Sequence, residues 1–158
     1  MTNYKKQVRP QVLWLLLIFS FLVATTSCGT KTDSQPQFPY GIVNLSFDLT
    51  NQQYRALRTD GGVVLFAKNS PDGPAGVKGV YVVRQNAQNY LAFERNCPYQ
   101  PYDACALVNL DRSSRLFLRD SCCNSQFDLR GQVTGGPALR PLVQYSVSLQ
   151  GTQLTVVN

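Results

Sequence analysis

Five cysteines carry most of the chemistry available to this chain: Cys28 near its start, then Cys97, Cys105, Cys122 and Cys123 clustered in two short segments. There is no histidine among the 158 residues. That absence excludes Ser-His-Asp and Cys-His nucleophiles, imidazole metal sites and a histidine proton shuttle near neutral pH. What remains are thiolates, phenolates and carboxylates, which serve as metal ligands or, for thiols, as crosslinks. Tyr99 and Tyr102 lie between Cys97 and Cys105, and Asp120 stands two residues before Cys122. Asp48, Glu94 and Asp103 form no recognisable acid and base pair, so glycosidase-type chemistry has no support.

An even number of clustered cysteines in an oxidising compartment also allows two structural disulfides, in any of three pairings. A bridge between the adjacent Cys122 and Cys123 requires a strained ring and is the least favourable. The two remaining pairings both tie the segment 97–105 to the segment 122–123.

These segments must be held by strands. From Gly41 onward the chain is a series of short apolar or alternating runs divided by Gly, Pro, Asn and Asp. The pattern predicts strands at 42–49, 63–67, 79–85, 90–95, 106–110, 115–119, 126–129, 143–149 and 153–157. Asp60-Gly61-Gly62 and Gln150-Gly151-Thr152 supply turn chemistry between runs. The single helix candidate, 51–57, is too short to stand without tertiary packing. The expectation is an all-β sandwich or small barrel over 41–158.

The first 27 residues stand apart. Lys5, Lys6 and Arg9 precede an apolar run from Val12 to Ala24, which ends in Thr25, Thr26 and Ser27 before Cys28. This is the plan of a secretory signal, and its core is short for a permanent span. Small residues before a cysteine resemble the lipobox of bacterial lipoproteins, although Thr25 stands where leucine is usual. The resemblance implies lipidation of Cys28 and a membrane-anchored lipoprotein of the cell envelope, on the periplasmic or outer-membrane side. A simple cleaved signal or an uncleaved anchor is the alternative. Residues 28–40 are polar and proline-bearing and read as a flexible tether. Without the leader, 15 basic residues become 12 against 9 acidic ones, and the net charge falls from +6 to +3. That leaves no nucleic-acid footprint. Arg112, Arg115 and Arg119 read as a solvated strand face.

The run from Arg95 to Leu142 contains C-P-Y-Q-P-Y-D-A-C, D-S-C-C-N-S-Q-F-D and G-P-A-L-R-P-L. It resembles a Rieske [2Fe-2S] iron-sulfur domain, with its two cysteine boxes and a covering loop. The match is carried by Ser125, Phe127 and Asp128 in the second box and by Gly136, Pro137, Ala138, Pro141 and Leu142 in the covering loop, 135–142. It implies stacked antiparallel sheets with cluster-binding loops at 97–105 and 120–128. In the family two cysteines hold one iron and two histidines the other. Cys97 takes the place of the first cysteine and Asp120 that of the second, while Tyr99 and Cys123 replace the histidines. Cys122 matches a cysteine that bridges between the boxes, with Cys105 as the implied partner. Asn124 replaces a glycine.

Two outcomes remain open at this level. Cys97, Tyr99, Asp120 and Cys123 form an altered ligand set around a [2Fe-2S] cluster in an electron-transfer module, with a redox protein as partner. Alternatively no metal binds, and Cys97–Cys123 and Cys105–Cys122 disulfides close a structural or interaction lipoprotein. An oxygenase would need a second iron site and a further domain. An enzyme is therefore not expected.

Overall fold

The computed structural model describes residues 37–158. The leader, Cys28 and all but the end of the tether lie outside the described residues. Twelve strands run in chain order: β1 (Asn44–Asp48), β2 (Val63–Phe66), β3 (Asn69–Ser70), β4 (Gly73–Pro74), β5 (Val80–Arg84), β6 (Tyr90–Glu94), β7 (Val108–Leu110), β8 (Phe117–Asp120), β9 (Gln126–Asp128), β10 (Val133–Gly135), β11 (Gln144–Gln150) and β12 (Gln153–Val157). They form a six-stranded sheet of order β1-β12-β11-β6-β5-β2, a four-stranded sheet of order β10-β9-β8-β7 and a β3-β4 ribbon. The strand pairs are all antiparallel. The expected all-β class of antiparallel sheets is what the structure shows.

Side-chain alternation explains how the layers stack. Leu45 and Phe47 on β1 point inward while Asn44 and Ser46 point out, so one face of that strand is wet. β5 has no such alternation, because its first four residues are all buried. Val80 and Val82 enter one core with Leu45, Phe47, Leu57, Leu154 and Val156. Tyr81 and Val83 enter a second core with Phe93, Val108, Leu118 and Phe127. The centre of the large sheet is thus covered on both faces, and the four-stranded sheet packs on the side that carries the cysteines.

The segment 51–57 forms a 3-10 helix, Gln52–Arg58, capped by Asn51, whose side chain accepts from the Gln53 N–H at 3.2 Å. It holds only because Tyr54 and Leu57 are buried. Strands β3, β4 and β10 were not expected, since Asn, Ser, Gly and Pro read as turns and β10 spans only three residues. The run 106–110 pairs with β8 only from Val108, because the Leu107 N–H bonds the Cys105 carbonyl at 2.7 Å and keeps the preceding residues in the loop. The run at 115–119 begins pairing at Phe117, since Arg115 has φ 59° and its N–H closes a turn on Asp111. β8 therefore ends on Asp120 and delivers that residue to the site.

Candidate metal centre

Two loops at one edge of the second core hold the cysteines. The first leaves β6 at Asn96, which bridges to Leu107 where the loop returns. The Cys97 N–H bonds the Ala106 carbonyl at 3.2 Å, and the Asn96 amide donates to the Pro101 carbonyl at 3.0 Å. Lys78 reaches the same loop from outside and donates to the carbonyls of Asp103 and Ala106. A buried carboxylate sets where β6 stops. Glu94 accepts from the N–H groups of Val77, Lys78 and Asn96 and from the Tyr145 hydroxyl, at 2.7 to 3.1 Å. Gly76, at φ 69°, is required there, because a Cβ would stand 2.1 Å from Glu94 Oε2. Burial, with the Glu94 charge next, pushes the Tyr145 phenol far up, so it acts as a donor.

The second loop is a tight reversal between β8 and β9. The Asp120 N–H bonds the Ser125 carbonyl, and the Asn124 N–H bonds the Asp120 carbonyl, both at 2.9 Å. Asn124 adopts φ 62°, a left-handed conformation that asparagine tolerates better than most residues. Asp120 Oδ1 accepts from the Cys122 N–H at 2.6 Å and the Cys123 N–H at 3.4 Å. Asp120 Oδ2 is buried and has no hydrogen-bond partner. Exposure is 0% for Cys97, Asp120 and Ser125, whereas Cys123 is half-buried.

The covering loop comes down on this reversal. Gly136, at φ 85°, lies so close that a Cβ would stand 2.5 Å from Ser125 Cα. The Ala138 N–H donates to Ser125 Oγ at 3.0 Å, and the Cys123 thiol donates to the same oxygen at 3.0 Å. Ala138 and Leu142 are buried, while Gly136, Pro137 and Pro141 are exposed. The Leu142 N–H bonds the Gly131 carbonyl at 2.9 Å, which anchors the far end of the loop.

The sulfur atoms of Cys97 and Cys123 lie 3.8 Å apart, both as free thiols. Together with an Asp120 carboxylate oxygen they form a group whose donor atoms all lie within 4.8 Å of one another. Burial pushes the Cys97 thiol well up from its ordinary value; the Tyr99 N–H opposes this, and Asp120 and Cys123 add to the rise. Cys105 and Cys122 are joined by a disulfide with a Cα separation of 5.6 Å, and both half-cystines are exposed. The bridge straps the two loops together beside the thiol pair.

Of the site residues named from the sequence, the structure brings Cys97, Asp120 and Cys123 to one point. Tyr99 is half-buried against the second core, and its backbone N–H faces the Cys97 sulfur. Tyr102 is exposed and donates to the Gln37 carbonyl at 2.6 Å. Arg119 donates to the Asn124 side chain at 2.7 Å. Lys78, Glu94 and Tyr145 were not named as parts of this site. Burial lowers the Lys78 ammonium, and the charges of Asp120, Glu94, Asp103 and Cys97 oppose that shift, so the lysine faces the anionic side of the centre. Their only sequence signal was a lone glutamate closing an otherwise apolar strand.

No family model matches the chain, and no curated protein matches it. Solved structures do. The chain is similar to the cyanobacterial plasma membrane Rieske protein PetC3 from Synechocystis PCC 6803, at 21% identity over 73% of this chain and 99% of that one, with a TM-score of 0.49. It is also similar to the ferredoxin of carbazole 1,9a-dioxygenase from Nocardioides aromaticivorans, at 21% identity over 73% of this chain and 96% of that one, with a TM-score of 0.44.

Proposed function

We propose that this chain is an extracytoplasmic, lipid-anchored module of Rieske type whose two cysteine loops bind a metal centre for electron transfer to a protein partner. The observation that carries the reading is the convergence of the Cys97 and Cys123 sulfurs and an Asp120 carboxylate oxygen within 4.8 Å of one another, with Asp120 fully buried. Buried polar atoms are almost always paired, and a buried carboxylate gathered with two thiols has the chemistry of a ligand set. The residues fit an iron-sulfur group in donor type, since thiolate and carboxylate both bind ferric iron. By resemblance, Cys97 and Asp120 would hold one iron, and Tyr99 and Cys123 the other. When bound, such a group supplies one-electron redox chemistry.

The protein's own residues do the rest. The Cys105–Cys122 bridge and the Asp120 cap hold the loops in register. Ala138 and Leu142 share the buried cluster of Cys97, and the Tyr99 N–H supports the Cys97 sulfur. Anions in place of two neutral imidazoles remove the feature that raises Rieske potentials, so the oxidised state is favoured.

Electron paramagnetic resonance of anaerobically purified, dithionite-reduced protein tests this reading. The expected result is visible absorption that bleaches on reduction and a signal from a reduced iron-sulfur centre. A colourless, silent protein would contradict it. One observation favours a second reading. The 3.8 Å thiol pair is near enough to close as a second disulfide, which would leave a cluster-free structural or interaction module.

A further inference from the structure

We propose that Cys97, Cys123 and Asp120 form a site for one divalent cation of the zinc class, filled without inorganic sulfide. The inference rests on the reading of this site as metal-binding, but not on its occupant being a cluster. Two thiolates each about 2.3 Å from one tetrahedral ion lie about 3.8 Å apart. The Cys97 and Cys123 sulfurs stand at 3.8 Å. A single ion therefore fits between them as they are.

The third donor is fixed in advance. Asp120 Oδ1 is held by the Cys122 and Cys123 N–H groups, Oδ2 is buried without a hydrogen-bond partner, and a carboxylate oxygen of the residue lies within 4.8 Å of both sulfurs. Metal sites are tuned by such outer contacts, which orient a ligand through its second atom. Ser125 provides another. Its oxygen accepts the Ala138 N–H, so its own proton is free to turn toward Cys123 once that thiol has lost its proton. Binding releases both thiol protons to solvent as two metal–sulfur bonds form. The complex then carries one net negative charge, while the Lys78 ammonium is held on the carbonyls of Asp103 and Ala106 in the Cys97 loop. Two sulfurs and one oxygen, with a water in the fourth position of a tetrahedron, select zinc, cobalt or ferrous iron over calcium or magnesium.

Titration of the reduced full chain with Co2+ alone, under anaerobic conditions, tests the proposal. The expected result is one Co2+ per chain, with an intense near-ultraviolet thiolate band and visible bands of a tetrahedral ion. One equivalent of Zn2+ should displace it and protect two thiols from alkylation. Cys97→Ser and Cys123→Ser should abolish the thiolate band, and Asp120→Asn should weaken binding at least tenfold. Should the buried Cys97→Ser variant not fold, the half-buried Cys123→Ser variant decides. Absence of Co2+ binding, or a band that survives loss of Cys97 and Cys123, would overturn the proposal. Two irons and two sulfides in the isolated protein, with an apoprotein that binds no Co2+, would overturn this inference and leave the electron-transfer reading standing. One Co2+ bound by a protein that never takes up iron and sulfide would support the inference and sink that reading.

Discussion

At the scale of single residues, Ser125 links the reversal that carries Cys123 to the loop that covers it. Its hydroxyl accepts from the Ala138 N–H and from the Cys123 thiol, and the residue is fully buried. Removing it leaves the Ala138 N–H without a partner, and an unsatisfied buried donor costs about 1–3 kcal/mol. Ser125→Ala should lower stability by that amount in urea unfolding and raise the alkylation rate of Cys123, whereas Ser125→Thr, which keeps the hydroxyl, should alter both less. The candidate ligands Cys97, Asp120 and Cys123 were legible in the sequence, because donor chemistry and motif spacing are properties of residue type. Their supports were not. Glu94 caps the N–H groups of Val77 and Lys78, 17 and 16 residues away in sequence, and Lys78 reaches carbonyls of a loop 25 to 28 residues away. Contacts of that range depend on the sheet order, which periodicity does not encode.

At the scale of elements, the two cysteine loops are short excursions from β6–β7 and β8–β9, and the Cys105–Cys122 disulfide crosses between them. Its half-cystines are 17 residues apart in sequence, and a crosslink that closes a loop of this size contributes about 2–4 kcal/mol, mainly by restricting the unfolded chain. Cys105→Ser/Cys122→Ser should therefore lower the stability of the domain by about that amount in urea unfolding, with the sheets retained by circular dichroism. Longer strands were legible where one side of the alternation is wet, as on β1, or where an apolar run is bounded by turn residues, as on β5. The pairing of β3 with β4 was hidden, since Asn69, Ser70, Gly73 and Pro74 make a ribbon from residues that elsewhere make turns. β10 was hidden for a different reason: its pairing with β9 is interrupted by a register shift between Val133 and Gly135.

At the scale of the whole molecule, two cores share β5 and β6, and the candidate metal centre lies at the rim of the second. Cys97 is itself a member of that core, so ligand geometry and fold stability are coupled there. The first core, built around Leu45, Phe47, Leu57 and Leu154, carries no thiol and serves as the platform. Among the described residues no helix is long and apolar enough to cross a membrane. Everything in this account turns on whether the rim holds a metal. The most direct measurement is iron, zinc and acid-labile sulfide counted against free thiols in one sample of natively purified protein. The account predicts stoichiometric metal, with Cys97 and Cys123 recovered as thiols once it is removed by chelation. No metal, together with two intact disulfides and no thiols at those positions, would contradict it.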